Sequence, residues 1–173
     1  MSKKIKNIFR ISIILNLLLI AIVAWGVNKN NYVIERVLTM NVAYNLFWLE
    51  EKISHQSDND WSDPSLVTAE LKQIFDGIYH SLNVGSESRT LSNSDKETLE
   101  NLIRSLQNYQ RYPMETLDSY SDLTEEDKKD YEELGVILRE VGFVLKEMND
   151  FGYWEKNSLI KKFGELSEKI NAQ

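Results

Sequence analysis

From Ile11 to Val27 the chain runs for 17 residues without a charge. Only Ser12, Asn16 and Gly26 interrupt the apolar side chains. No other feature of the sequence limits the fold as strongly. A helix of this length, at about 1.5 Å per residue, nearly spans the hydrocarbon layer of a bilayer. Ile8 and Phe9 extend the run, and Arg10 is placed to snorkel to one interface. Trp25 lies near the other end, where indole rings favour the headgroup level.

The flanks give the run a direction. Lys3, Lys4, Lys6 and Arg10 lead into it, Lys29 follows, and no acid lies among the first 29 residues. All 27 Asp and Glu lie beyond, against 15 Lys and Arg, so the remaining 144 residues carry a net charge of −12. The positive-inside rule then predicts residues 1–10 in the cytoplasm, 11–27 as a transmembrane signal anchor, and 28–173 as an acidic domain outside the cytoplasmic membrane. The alternative is a cleaved export signal. Ala24-Trp25-Gly26 has small residues where a signal peptidase reads, and a cut after Gly26 would release a secreted domain. The length of the run and Trp25 favour the anchor. The sequence has no second run of this length, so the expected topology is a single pass.

The outer 144 residues match one ordinary domain and suffice for a core without a disulfide or metal staple. The absence of Cys excludes thiol nucleophiles, redox pairs, Cys-based zinc sites and a lipidated cysteine. An acidic body argues against nucleic acid, whose phosphates need clustered Lys and Arg.

Apolar spacing predicts an all-α fold: the membrane helix, then an up-and-down bundle of four to five amphipathic helices. Helix one spans 31–56, with a seam at Val33, Val37, Met40, Tyr44 and Phe47 widened by Leu38, Trp48 and Ile53. Helix two opens at Asp63-Pro64, carries Val67, Leu71, Ile74, Phe75, Ile78 and Leu82, and stops at Gly85. Helix three opens on a capping box of Ser94 and Glu97 and ends before Pro113. Helix four opens at Thr124 and Asp127 and carries Tyr131, Leu134, Leu138, Val141, Leu145 and Met148. Gly135 and Gly142 fall on one side of it and suit a close helix crossing. Helix five spans 158–172, with Leu159, Phe163, Leu166 and Ile170.

Catalytic and metal signatures are missing. His55 follows Glu51, and His80 follows Asp76, by four residues, which fits neither Glu-x-x-His nor His-Glu-x-x-His. No nucleophile elbow or phosphate loop occurs. Glu50-Glu51, Glu125-Glu126-Asp127 and Glu132-Glu133 read as solvated runs. No cofactor, metal or catalytic residue is expected, and the chain is not expected to be an enzyme. An envelope hydrolase using a carboxylate pair is the weakest alternative.

Aromatic residues are the remaining contact candidates. Trp61 stands among Asn59, Asp60 and Ser62, and Tyr153 and Trp154 lie between helices beside Phe151. Each either grips a partner or caps the end of the core. The expected partners are the lipid bilayer, through 11–27, and another membrane or envelope protein. A self-associating stalk, formed by helix one continuing the membrane helix, is a further alternative and would give a homo-oligomer.

Overall fold

The computed structural model describes residues 3–110, 123–145 and 154–173. Every regular element among them is helical. The chain divides into two compact units, Met1–Val33 and Ile34–Gln173.

The first unit belongs to helix α1, Lys3–Leu38. Its apolar side chains from Phe9 to Trp25 are exposed all round, with no protein packed on them. This is one helix long and apolar enough to cross a membrane, with a mean hydropathy of 2.3 over its best window. Among the described residues no other helix meets that test.

The second unit begins with the last turn of α1. A π-helical segment, Thr39–Ala43, follows, and then α2, Tyr44–Asp58. The Tyr44 N–H donates to the Thr39 carbonyl five residues back, the bond that defines the wide turn. The remaining helices are α3 (Ser65–Glu87), α4 (Asn93–Gln107), α5 (Glu125–Val141) and α6 (Lys156–Asn171).

The π-segment changes the seam that regular spacing predicts. Val33, Met40 and Trp48 are 42%, 44% and 46% exposed, and Tyr44 is only partly covered. The main buried series is Ile34, Leu38, Val42, Leu46, Leu49 and Ile53, stepping by 4, 4, 4, 3 and 4, with Ala43, and Phe47 of the expected seam, buried beside it. At about 100° per residue, each step of four overshoots a turn by about 40°. Three in succession would carry the seam off the core. One extra residue in a widened turn brings it back, so packing rather than local propensity selects the π geometry.

Helix ends follow capping chemistry. The box that opens α4 is Ser92 with Asp95, two residues before the predicted pair, and Thr124 with Asp127 forms the box of α5. Asp95 replaces the predicted Glu97 because the pair needs its carboxylate on the N-cap N–H, and the Asp95 side chain reaches Ser92 at 2.9 Å. Gly85 does not stop α3. It is buried under Leu91, and the helix continues to Glu87. Helix α5 ends seven residues short of Met148. Gly142 takes a left-handed φ of 89°, while Phe143 N–H bonds Leu138 and Gly142 N–H bonds Arg139, a Schellman stop. Gly142 is therefore the terminator of α5 and lies past its last turn. Met148, Phe151 and Pro113 lie outside the described residues.

Helix α2 packs on α3 and α5, α4 packs on α3 and α6, and α5 packs on α6. The spatial ring is thus α2, α3, α4, α6, α5. Ser57 meets Glu132 and Glu50 meets Arg139, so α2 and α5 are antiparallel. Asp95 meets Lys156, Ser105 meets Ser167 and Tyr109 meets Gln173, so α4 and α6 are parallel. Chain direction alternates as an up-and-down reading requires, but α6 lies between α4 and α5. The connection from Asn108 to Thr124 is long enough to pass a helix about 10 Å wide. The core is closed by Phe47, Phe143 and Phe163, with Phe143 edge-on to Phe47 at 5.5 Å and stacked on Phe163 at 6.2 Å.

Candidate functional site: a polar groove at the π-segment

Opposite the π-segment, α3 crosses without a side chain. An added Cβ on Gly77 would stand 1.9 Å from the Asn41 carbonyl oxygen. Only glycine permits this approach. The crossing leaves an open groove of about 300 Å³, lined by Asn41, Asn45, Gln73, Asp76, Gly77 and His80. Asn45 donates through Nδ2 to the Asn41 carbonyl at 2.9 Å, and Ser81 donates to the Gly77 carbonyl at 2.8 Å. These side chains satisfy backbone groups where two helices meet most closely.

The groove carries little net charge. Asp76 is paired with Lys72 at 2.6 Å one turn back. The other functional groups are three primary amides and one imidazole, which both donate and accept hydrogen bonds. Two more acids are buried nearby in sequence but serve other contacts. Glu50, placed in a solvated run by sequence, is 4% exposed and bonded to Arg139 at 2.6 Å. Glu70 is equally buried and bonded to Lys52.

The residues singled out from sequence lie elsewhere. Trp61 is a core-capping ring, 8% exposed and stacked on Tyr131 with centroids 5.5 Å apart. Its indole N–H donates to Glu132 at 3.4 Å. Asp60 and Trp61 are both left-handed, at φ 51° and 56°, a conformation held by burial of the indole and by Trp61 N–H bonding Gln56. Trp154 also caps the core, 6.3 Å from Phe47 and 6.2 Å from Phe143, with the Lys162 ammonium 4.7 Å over its ring. Tyr153 lies outside the described residues. Gly135 is buried against α2, where an added Cβ would meet Ile53 at 3.0 Å. Arg10 and Trp25 are exposed on the first unit, and the Lys29 ammonium stands 5.3 Å from the Trp25 ring.

The exposed tryptophan of the bundle is Trp48, which the regular spacing assigns to the seam. The groove itself escaped sequence reading because Asn, Gln, Asp and His on helix surfaces have no pattern of their own. The signal that could have found it is the second apolar series, Ile34, Leu38, Val42 and Leu46, whose repeated steps of four imply an inserted residue.

Among the described residues, no three His, Asp or Glu side chains are grouped to hold a metal ion. The chain matches no protein-family model, no curated protein and no solved structure.

Proposed function

We propose that this chain is a single-pass membrane protein that presents an acidic helical bundle outside the cytoplasmic membrane and acts there by contacting another protein. The observation that carries the membrane half is the helix from Phe9 to Trp25, apolar on every side and uncovered by protein. Water would not tolerate so large an apolar surface on an isolated helix. Bilayer does, because every backbone group bonds within the helix. The basic leader and acidic remainder give the orientation.

The contact half rests on surface chemistry. Met40, Trp48, Tyr79 and Val136 are large apolar side chains exposed on a body otherwise rich in acid. Exposed aromatic side chains of this kind are the usual anchors of protein contacts.

The test is to express the whole chain with a C-terminal tag, separate membrane, soluble and secreted fractions, and measure intact mass. Protease is then added to spheroplasts. The expected result is full-length mass in the membrane fraction, with the bundle accessible from outside. A product starting after Gly26 and free of membrane would replace the anchor with a cleaved signal. A bundle protected from external protease would reverse the orientation.

A further inference from the structure

We infer that the groove between the π-segment and α3 is a binding site for an uncharged glycan chain. The inference goes beyond protein contact and does not depend on it, since the groove is the same in an anchored or a released bundle.

The first argument is the insertion itself. Removing one residue between Leu38 and Val42 would leave buried steps of 4, 3, 4, 3 and 4, the pattern of an ordinary helix. The bundle core would lose nothing by the change, so folding alone gives no reason for the extra residue. Its consequence is local. It puts the wide turn against Gly77 and opens the groove there. Single-turn π insertions concentrate at functional sites for this reason.

The lining then selects the ligand. Its one carboxylate, Asp76, is paired with Lys72, so the site holds no excess of either charge to select an ionic ligand. The amides of Asn41, Asn45 and Gln73 and the imidazole of His80 offer donors and acceptors side by side, as neighbouring sugar hydroxyls require. No aliphatic or aromatic side chain lines the groove. A peptide would find no pocket for an anchor residue, and such anchors supply most of the energy of protein contacts. Trp48 lies three residues beyond Asn45, one turn along α2, and is exposed. An exposed indole one turn from Asn45 can take the apolar face of a sugar ring. A volume of about 300 Å³, open to solvent, suits a chain lying across the site more than an enclosed small molecule.

The test uses the ¹⁵N-labelled full chain in micelles of a zwitterionic detergent that contains no sugar. Tetrasaccharides of N-acetylglucosamine, of α-linked glucose and of β-linked glucose are titrated in turn. The side-chain NH₂ signals of Asn45 and Gln73 and the Trp48 indole N–H are followed. Saturable shifts of these three signals with at least one probe are expected. Gln73→Ala and His80→Ala should each weaken binding about tenfold, through lost hydrogen bonds, while the Trp61 indole signal reports an intact fold. Deletion of Met40 should abolish the shifts. Where that deletion disturbs the Trp61 signal, the Gln73→Ala/His80→Ala double variant decides. Three results would overturn the inference: no saturable shift with any probe, Asn45 and Trp48 shifts unchanged in the double variant, or the same signals responding to an Ala-rich hexapeptide and to none of the sugars.

Discussion

Gly77 on α3 and Asn41 in the π-segment are in backbone contact, so close that a Cβ on Gly77 would stand 1.9 Å from the Asn41 oxygen and 2.7 Å from its carbonyl carbon. The obstacle is main chain and cannot rotate away. Gly77→Ala should therefore destabilise the bundle by about 3 kcal/mol, at the upper end of ordinary overpacking. Chemical denaturation of the full chain, followed by circular dichroism, measures it. A loss below about 0.5 kcal/mol would mean that α3 slides freely and that the contact is not a constraint.

Deleting Met40 should leave the fold intact. Met40 is exposed, and the deletion restores regular steps between Ile34 and Ile53. Stability should change by less than about 1 kcal/mol in the unfavourable direction, since no buried apolar side chain is lost. The deletion should also relieve Gly77→Ala. A double-mutant cycle reads this as a coupling above about 1 kcal/mol, because both changes act on one contact. Additive effects would separate the insertion from the crossing.

The ion pair of Glu50 and Arg139 is lopsided. The Glu50 side chain is 5% exposed and that of Arg139 is 43% exposed. Arg139→Met strands a buried carboxylate, whereas Glu50→Met leaves a guanidinium that can reach water. Arg139→Met should cost about 2 kcal/mol, less than the roughly 3–5 kcal/mol of a fully enclosed pair because solvent reaches one side. Glu50→Met should cost clearly less. Equal losses in denaturation curves would place the value of both residues in packing alone.

Asp95 joins α4 to α6 and has a titration consequence. Burial opposes its ionisation. The hydrogen bond from Lys156, those from the Ser92 backbone and hydroxyl, and the Lys156 charge outweigh burial and hold the carboxyl below its ordinary value. A depressed carboxylate stabilises the fold above its unfolded value, near about 3.9. That contribution is lost as pH falls through the lower folded value. Asp95→Asn should lower Tm at pH 7 and reduce the loss of stability between about pH 5 and pH 2. Thermal melts across that range check the sign. A parallel drop for both proteins would assign acid sensitivity to other carboxylates.

Several elements were legible because their cause is local. Thr124 and Asp127 are four-residue capping chemistry, and Leu159, Phe163, Leu166 and Ile170 repeat at the helical period. Each reads the same in sequence and in structure. Trp61 was ambiguous for a physical reason. Its neighbours in the chain are polar, but the ring that covers it belongs to Tyr131, 70 residues away. Gly142 reads as a mid-helix residue from sequence because the apolar pattern runs on to Met148, whereas the hydrogen bonds of its left-handed turn end the helix there.

What the sequence determined by itself is the chemistry of each segment: one helix long and apolar enough to cross a membrane, a basic leader before it and an acidic body after it, and amphipathic stretches that pack on one another. These follow from side-chain transfer energies and a fixed helical period, which need no partner. Tertiary structure decided which of two apolar series on helix one enters the core, where the π turn absorbs the extra residue, and that α6 lies between α4 and α5. Those choices depend on which surfaces meet across the bundle. Ile34, Leu38, Val42 and Leu46 are buried, and the close approach of Gly77 to Asn41 lies beside the groove.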